Sequence, residues 1–335
     1  MILTADWHLT DSPHDEYRWR VFTELKELIC KTNDMEIFIL GDTLDRKDRH
    51  SSALVNRLVE ECVTLCELKA TICIIGGNHD MAALSPFWKF LNHVHPRLYY
   101  LAEPEIWNDS LLLMPWQADP QAAFMANRTP HLRAVFMHQP VNGAVGEHGM
   151  KMKVENTPIF PRSLKVYSGD IHTPQKVGVV EYVGAPHPID FGDDYPCRML
   201  RLNTEYEIVR AITLHPPKKH MLRVRNLKEL EQTKTEPGDQ ARIEFHVAAD
   251  RIEQWAVEQE GIAQWAADRK IRVASVETII DAQTSMGTPQ TPIFDADPTE
   301  TLSAFCTSES LADNIADAGK QLLAEQLELL QGLPF

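Results

Sequence analysis

The sequence predicts an α/β fold for roughly the first two hundred residues. Short apolar β-rich runs alternate with segments in which apolar residues recur at helical spacing, and each of five runs ends directly at a polar residue. The predicted strands are residues 1–5, 36–40, 71–76, 134–137 and 165–168, and the predicted helices are residues 16–33 and 51–69. Because ligands collect beyond the carboxyl ends of strands in open α/β sheets, we expect these five turns to converge on one site.

The second half of the chain predicts further elements. β-like runs between residues 180 and 214 are expected to complete a second sheet of the same domain. After Pro216 and Pro217 a β-α-β pattern predicts a small domain whose core holds Trp255 and Trp265. Turn-forming residues without periodicity then indicate a linker. The predicted units are residues 1–215, 216–281, 282–296 (the linker) and 297–335.

The last segment predicts a helical hairpin. Asp297-Pro298-Thr299-Glu300 matches a capping box with proline at the first helical position. A second helix begins near Ser308 and carries an apolar stripe that includes Leu311, Ile315, Leu322, Leu323 and Leu327. This hairpin either packs on its own domain or docks on another protein as an amphipathic helix in a groove.

The charge balance limits how the protein could bind nucleic acid. The net charge is −15, and residues 286–335 contain eight acidic residues against one lysine. A protein that binds DNA unaided usually presents a basic surface. This chain would therefore need a partner protein that supplies affinity for DNA. The basic stretch with Lys218, Lys219, Arg223 and Arg225 fits phosphate contacts and a solvated domain junction equally well.

Several absences in the sequence indicate a cytoplasmic protein. No apolar run of about 18 residues occurs, so we expect no membrane span. The chain opens on an apolar strand without a basic leader, which argues against export. Six scattered cysteines without a C-x-x-C pair fit reduced thiols.

Polar residues with metal-binding side chains follow the predicted strands. In chain order they are Asp6, His8, Asp42, Asn78, His138, Asp170 and His172. Two divalent cations about 3.5–4 Å apart need mixed imidazole and carboxylate ligands and one shared carboxylate. Asp6 and His8 are two residues apart, so both point the same way on an extended strand end. Asp42 suits the shared ligand, and Asn78 adds a neutral oxygen.

Each of these pieces has an ordinary explanation when it is taken alone. Aspartates cap turns in many proteins, a lone histidine such as His138 is usually structural, and Asn-His-Asp can be turn chemistry. The specificity of the pattern comes from five pieces in order, each after an apolar run. The set therefore predicts a two-metal phosphoesterase centre.

The motifs D-x-H, G-D, G-N-H-D, H and G-D-I-H resemble those of the calcineurin-like metallophosphoesterase superfamily over residues 1–200. The resemblance implies a four-layer α/β/β/α sandwich. It implies one ion held by Asp6, His8, Asp42 and His172, and another held by Asp42, Asn78, His138 and residue 170. His79, grouped with the adjoining Asp80 as catalytic residues, would protonate the leaving oxygen or stabilise the charged transition state.

Position 170 departs from the family pattern, because Asp170 stands where a histidine is usual. A carboxylate ligates Mn²⁺ or Mg²⁺ well, so Asp170 is either a ligand that adds negative charge or a mark of lost activity. Asp45 either contacts a metal ligand and orients it or caps a helix. His148 and His187 follow site motifs and are candidates for the same support or for contact with substrate.

Within the superfamily the chain resembles the SbcD nuclease family. The evidence is GDIHTPQ at 169–175 followed by EYVGAPHPIDFGDD at 181–194. This resemblance implies a homodimeric exonuclease and endonuclease that uses two ions, Mn²⁺ or alternatively Mg²⁺, in DNA end processing, repair, recombination and replication. It also implies that residues 216–281 form a capping domain and that the C-terminal helices bind an SbcC-type ABC ATPase.

The compact length and acidic tail resemble phage-encoded members, which would act in the cytoplasm of a bacterial host. Two alternatives stay open for the function. One is another phosphatase or phosphodiesterase of the superfamily. The other is a scaffold that kept the fold and lost the chemistry at position 170.

Overall fold

The computed structural model describes residues 1–32, 35–47, 49–80, 86–146, 149–248, 251, 255 and 257–281. The predicted linker, the helical hairpin with its apolar stripe, and His148 lie outside these residues. Residues 1–281 form one compact unit, so the predicted boundary near residue 215 stays a prediction. Among the helices of the described ranges, none has the length and apolarity that a membrane crossing requires.

The secondary structure within the described residues alternates strands and helices. The strands are β1 (Ile2–Thr4), β2 (Glu36–Leu40), β3 (Thr71–Ile75), β4 (Leu98–Leu101), β5 (Glu105–Trp107), β6 (Leu111–Met114), β7 (Ala134–His138), β8 (Lys165–Gly169), β9 (Gln175–Val177), β10 (Val180–Tyr182), β11 (Arg198–Leu202), β12 (Ile208–Thr213), β13 (Lys219–Val224), β14 (Gln240–Ala248) and β15 (Arg272–Asp281). The α-helices are α1 (Arg20–Thr32), α2 (Ser52–Glu67), α3 (Pro120–Asn127), α4 (Leu227–Glu231) and α5 (Glu260–Arg269), and 3₁₀ helices cover Glu16–Trp19 and Phe87–His93.

Two six-stranded sheets form the body of the protein. The first has the order β12-β11-β1-β2-β3-β4, with β1 to β4 parallel and β11 and β12 antiparallel. The second has the order β5-β6-β7-β8-β10-β9, with antiparallel strands at both edges. The carboxyl ends of β1, β2 and β3 in one sheet and of β7 and β8 in the other carry the predicted metal ligands.

The alternation of side chains along each strand explains the layers. Ile37 and Ile39 of β2 pack with helices α1 and α2 on the outer face of the first sheet. Phe38 and Leu40 point the other way and pack against the second sheet. Phe124 of α3 covers the far face of that second sheet. The result is the four-layer α/β/β/α sandwich that the resemblance implied.

The strands after residue 180 correct one expectation. We expected the runs between residues 180 and 214 to complete the second sheet, but of these only β10 joins it, beside β9. β11 and β12 extend the first sheet instead, where Leu3 lies opposite Leu200 in the antiparallel register. Both sheets bury apolar side chains on two faces, so an apolar run does not by itself specify which sheet it joins.

A three-stranded unit follows the sandwich and consists of β13, β14 and β15 with α4 and α5. All three strands are parallel, so the unit has one strand more than the predicted β-α-β pattern. The additional strand, β13, lies in the stretch that the sequence marks as basic. Trp255 and Trp265 are buried in the core of this unit, which confirms their predicted packing role.

Candidate metal centre

The first ligand group consists of Asp6, His8 and His172. One candidate ligand atom from each lies within 4.8 Å of the others. Asp6 Oδ2 and both ring nitrogens of His8 are buried without a hydrogen-bond partner among the described residues. Burial holds the pKa of His8 well below its ordinary value, so the ring is neutral and has a lone pair for a cation. Buried acceptors that face one another without donors fit a cation between them.

The second ligand group surrounds His138, which is fully buried. Its Nδ1 donates to the carbonyl of Leu40 at 2.6 Å, which leaves the Nε2 lone pair directed into the site. That Nε2 lies 3.1 Å from Asn78 Oδ1, 3.5 Å from Asp42 Oδ2 and 3.6 Å from Asp170 Oδ1. If the Asn78 amide is turned over, its NH₂ donates to His138 and Asp42 instead, so only the oxygen-inward orientation suits a cation.

The same carboxylates show how strongly this pocket attracts positive charge. Burial alone would lower the pKa of His138, but Asp42, Asp6 and Asp170 outweigh it and hold that pKa well above its ordinary value. A proton on His138 therefore offsets part of the negative charge of the metal-free pocket, and a divalent cation would take its place.

Asp42 lies between the two groups. Its Oδ2 is 3.6 Å from His8 Nε2 and 3.5 Å from His138 Nε2, and its Oδ1 accepts a hydrogen bond from the His79 amide at 2.9 Å. Burial opposes ionisation of Asp42, but His138, His8 and His79 outweigh it and hold the pKa below the ordinary range. This is the position that the sequence predicted for the shared carboxylate.

The backbone at the ligands is held in an uncommon conformation. Left-handed φ angles occur at Asp6 (55°), His8 (43°), Asp42 (50°) and Asp170 (79°). Asp and His tolerate this region better than most residues. Hydrogen bonds between turns fix it, because Asp6 N donates to Gly41 O, His8 N to Asp42 O, and Asp170 N to Asp6 Oδ1. Strain of this kind persists only where the surroundings determine it, and here it orients the ligands before a cation binds.

The glycines that precede the ligands are required by close approach. A Cβ on Gly77 would overlap the Asp42 carboxylate, and a Cβ on Gly169 would overlap the Leu40 carbonyl. A Cβ on Gly41 would meet the His138 ring. These overlaps explain why the sequence places a glycine at each of these turns.

Replacing Gly77 by alanine is expected to weaken metal binding more than it weakens folding. The added methyl displaces Asp42, and supporting changes of this kind typically cost about 10–100-fold in metal affinity. Calorimetric titration with Mn²⁺ measures the change. Gly178→Ala is the control for overlap, because an added Cβ there meets nothing within 4 Å, although its φ of +60° adds backbone strain of its own. Equal Mn²⁺ affinity in both variants would show that the overlap does not matter.

His79 and Asp80, the two predicted catalytic residues, differ in their placement. The His79 Nδ1 lies 2.6 Å from the Asp45 carbonyl and must donate to it, which leaves Nε2 for the reaction. The His79 ring is half-buried and 5.0 Å from the His8 ring. Asp80 is buried and accepts from the amides of Thr43, Leu44 and Gly77. A catalytic effect of Asp80 would therefore act through the positions of the Gly-Asp and Gly-Asn-His turns.

The candidate supporting residues lie behind the ligands. Asp45 Oδ1 is 3.7 Å from His8 Nδ1. His187 is buried and its Nε2 donates to the Trp7 carbonyl at 2.7 Å, so it supports the Asp6-Trp7-His8 turn and does not face substrate. Trp7 is itself fully buried.

Two buried cations were not anticipated. Lys219 is buried and bonds Asp15 and the Ile189 carbonyl, so it is neither a phosphate contact nor part of a solvated junction. Arg18 is buried beside His8, and sequence reasoning missed it entirely. An arginine at the start of an amphipathic helix carries no local signal that distinguishes a buried role from an exposed one.

Metal binding is expected to strengthen as the pH rises through about 7, because a cation must displace a proton from Asp6 and, over a higher pH range too, one from His138. Burial raises the pKa of Asp6 from 3.8 to about 7, so below that pH a cation must displace a proton from Asp6. The apparent Mn²⁺ affinity should fall at least about tenfold per unit below pH 7, and the Asp6 contribution to metal-free stability should be lost as the pH rises from about 4 to 7. Thermal unfolding with and without Mn²⁺ at pH 5.5 and 8 measures both. An equal Mn²⁺-dependent rise in Tm at the two pH values would contradict this linkage.

A family profile described as Calcineurin-like phosphoesterase matches residues 1–174, which is more than half of the chain. The chain belongs to the calcineurin-like phosphoesterase family. The family uses divalent metals, and this member has two buried or partly buried groups at the strand ends, Asp6-His8-His172 and Asp6-Asp42-His138, whose ligand atoms are close enough to hold an ion. Membership confirms the superfamily that the motifs resembled and identifies the protein as a phosphoester hydrolase by class.

Two solved structures are similar to this calcineurin-like chain. The Pseudomonas putida nuclease MPE is 17% identical, covers 51% of this chain and has a TM-score of 0.30, and the alignment spans 61% of its own length. A novel archaeal phosphodiesterase is 14% identical, with 64% of this chain and 100% of its own covered and a TM-score of 0.36. No curated protein matches the chain. Neither structure assigns a substrate to it.

Proposed function

We propose that this calcineurin-like protein is a two-metal phosphodiesterase that cleaves DNA. The observation that carries the proposal is the pair of ligand groups that share Asp42. The Nε2 atoms of His8 and His138 lie 3.6 and 3.5 Å from the same oxygen, Asp42 Oδ2. A shared carboxylate between two imidazole-containing groups is the arrangement that a two-metal phosphoesterase requires.

The chain's own residues divide the work of the reaction. Two bound divalent cations would supply an activated water and Lewis acidity at the phosphoryl oxygens. Asp42 holds the two ligand groups together, and Asn78 adds an oxygen without further charge. His79, oriented by the Asp45 carbonyl, presents Nε2 to hold or deliver a proton at the leaving oxygen. Asp170 completes the second group as a ligand.

A cleft of about 830 Å³ beside the centre supports an extended substrate. Asp170 and His172 form part of its lining, and so do Lys151 and Lys153, whose side chains can contact phosphates next to the scissile one. Asp190, Asp193 and Asp194 line it as well. This volume lies within the range of small-ligand clefts, so the two lysines, and not the size, carry the argument for a polynucleotide.

The donor set favours Mn²⁺, with Mg²⁺ as the second choice. Carboxylate and carbonyl oxygens suit both ions, whereas imidazole suits transition metals better than Mg²⁺. The first group has two histidines with Asp6 and Asp42, and the second has His138 with oxygen donors.

The test is a Mn²⁺-dependent cleavage assay on labelled duplex and single-stranded DNA, with a small phosphodiester and a phosphomonoester as comparisons. We expect DNA cleavage that requires the added ion and two Mn²⁺ per chain in a titration without substrate. Hydrolysis of the small diester but not of DNA would replace the proposal with a general phosphodiesterase. Binding of fewer than two ions per chain, together with no hydrolysis of any substrate, would favour the alternative of a non-catalytic scaffold protein.

The partner proposal rests on the sequence alone. We propose that the protein works as a homodimer with an SbcC-type ABC ATPase in DNA end processing, in the cytoplasm of a bacterial host if it is phage-encoded. The ATPase would supply DNA affinity that the net charge of −15 does not favour. Wild type should co-elute with a purified ATPase of this type, and Leu323→Asp with Leu327→Asp should not. Equal co-elution would place the interface elsewhere.

A further inference from the structure

Arg18 is a buried cation at the edge of the metal centre. It lies in the 3₁₀ helix Glu16–Trp19 and is 3% exposed. A buried guanidinium is stable only when acceptors surround it. Its Nη1 donates to the carbonyl of His8, and its Nη2 donates to the carbonyl of Ile189 at 3.1 Å. Its ion-pair partners are Asp15 at 3.4 Å and Asp45 at 3.9 Å.

The contact with His8 fixes the backbone of a candidate ligand. His8 has a left-handed φ of 43°. The carbonyl before it, that of Trp7, accepts from His187 Nε2 at 2.7 Å. Two consecutive carbonyls are therefore held by side chains from outside the ligand groups. Burial lowers the pKa of His187 to about 3, so its ring is neutral and donates through Nε2.

The same network reaches the three-stranded unit through Lys219, the first residue of β13. Its Nζ donates to Asp15 Oδ1 at 3.1 Å and to the Ile189 carbonyl at 3.0 Å. These are the acceptors that also serve Arg18. Arg18 and Lys219 therefore share the Asp15 carboxylate and the Ile189 carbonyl as acceptors. Moving Lys219 changes the acceptors left to Arg18, and through Arg18 the position of the His8 carbonyl.

We propose that Arg18 is a positioning residue for His8 and that Lys219 couples the three-stranded unit to it. The affinity of the ion at the first ligand group then depends on how this unit sits on the sandwich. The second ligand group has no contact with either cation in the described ranges, so its ion is affected less. The inference rests on the proposed two-metal function, because it concerns the loading of that same site.

The experiment is a Mn²⁺ titration of the full chain by calorimetry, without substrate. Arg18→Gln should weaken one of the two binding steps by about 10–100-fold and leave the other within about twofold. Lys219→Met, which alters a different element, should weaken the same step by a smaller factor. Arg18→Lys keeps the charge but cannot span both carbonyls, so its affinity should fall between wild type and Arg18→Gln. Arg57→Gln is the matched control, because exposed Arg57 pairs with Glu16 of the same 3₁₀ helix.

Electron paramagnetic resonance adds a separate readout of whether both ions occupy one site. The signal of a coupled Mn²⁺ pair should weaken in Arg18→Gln and in Lys219→Met at ion concentrations that fill the wild-type site. Unchanged binding steps in Lys219→Met would overturn the coupling. Parallel weakening of both steps in Arg18→Gln, with a lower Tm, would overturn the positioning role. If the wild-type protein itself binds fewer than two ions, the two-metal proposal fails, whatever the variants show.

Discussion

Replacing Asp42 by asparagine is expected to lower kcat by at least about 10²–10³-fold and to prevent the binding of two ions. Asparagine tolerates the left-handed φ of 50°, so the backbone can stay in place. The change therefore removes charge and one acceptor oxygen from the carboxylate whose Oδ2 lies 3.6 Å from His8 Nε2 and 3.5 Å from His138 Nε2. Turnover of a phosphodiester and a Mn²⁺ titration measure the two effects.

Asp11→Asn is the matched control for Asp42→Asn, because Asp11 is an exposed aspartate in the loop that follows the first ligands. It should retain wild-type turnover and both ions. An Asp42→Asn protein that still binds two ions and turns over within tenfold of wild type would show that the two groups do not depend on a shared carboxylate.

Replacing His79 by alanine is expected to lower kcat by about 10²–10⁴-fold while both ions still bind. The bond from residue 79 to Asp42 comes from the backbone amide, which alanine keeps. What is lost is the ring that the Asp45 carbonyl orients. The measurements are kcat and Mn²⁺ affinity, with exposed His93→Ala as the control.

The leaving group separates the two roles considered for His79. If His79 protonates the leaving oxygen, the defect of His79→Ala should be large with DNA and much smaller with a p-nitrophenyl diester, whose leaving group needs little protonation. A defect of the same size on both substrates would instead favour stabilisation of the charged transition state.

The fold could be predicted where strands are apolar on both faces. β1, β2, β3, β7 and β8 follow the predicted runs because each is buried between two layers. The sequence did not predict β4, β5 and β6. Residues 105–107 are only partly buried, and the Leu-Leu-Leu-Met run of β6 has no alternation or β-branching that distinguishes a strand from a helix turn.

The candidate site could be predicted for the residues whose spacing follows strand ends, and the structure brings those side chains together. The buried support could not be predicted. Arg18 meets the Ile189 carbonyl across 171 residues of sequence, and Asp80 binds the Thr43 amide across 37. Such contacts depend on which turns become neighbours in the folded chain, and no local pattern contains that information.

Each of the two ligand groups takes residues from both sheets. Asp42 follows β2 of the first sheet, and His138 ends β7 of the second. Between the sheets, Phe38 and Phe136 meet edge to face with ring centroids 5.2 Å apart. The thickness of this aromatic layer therefore sets the distance between the ligands that follow the first sheet and those that follow the second. A misplacement of about 1 Å in an active site can lower the rate about a hundredfold. A substitution that changes the volume of this core is therefore expected to change the catalytic rate as well as the stability.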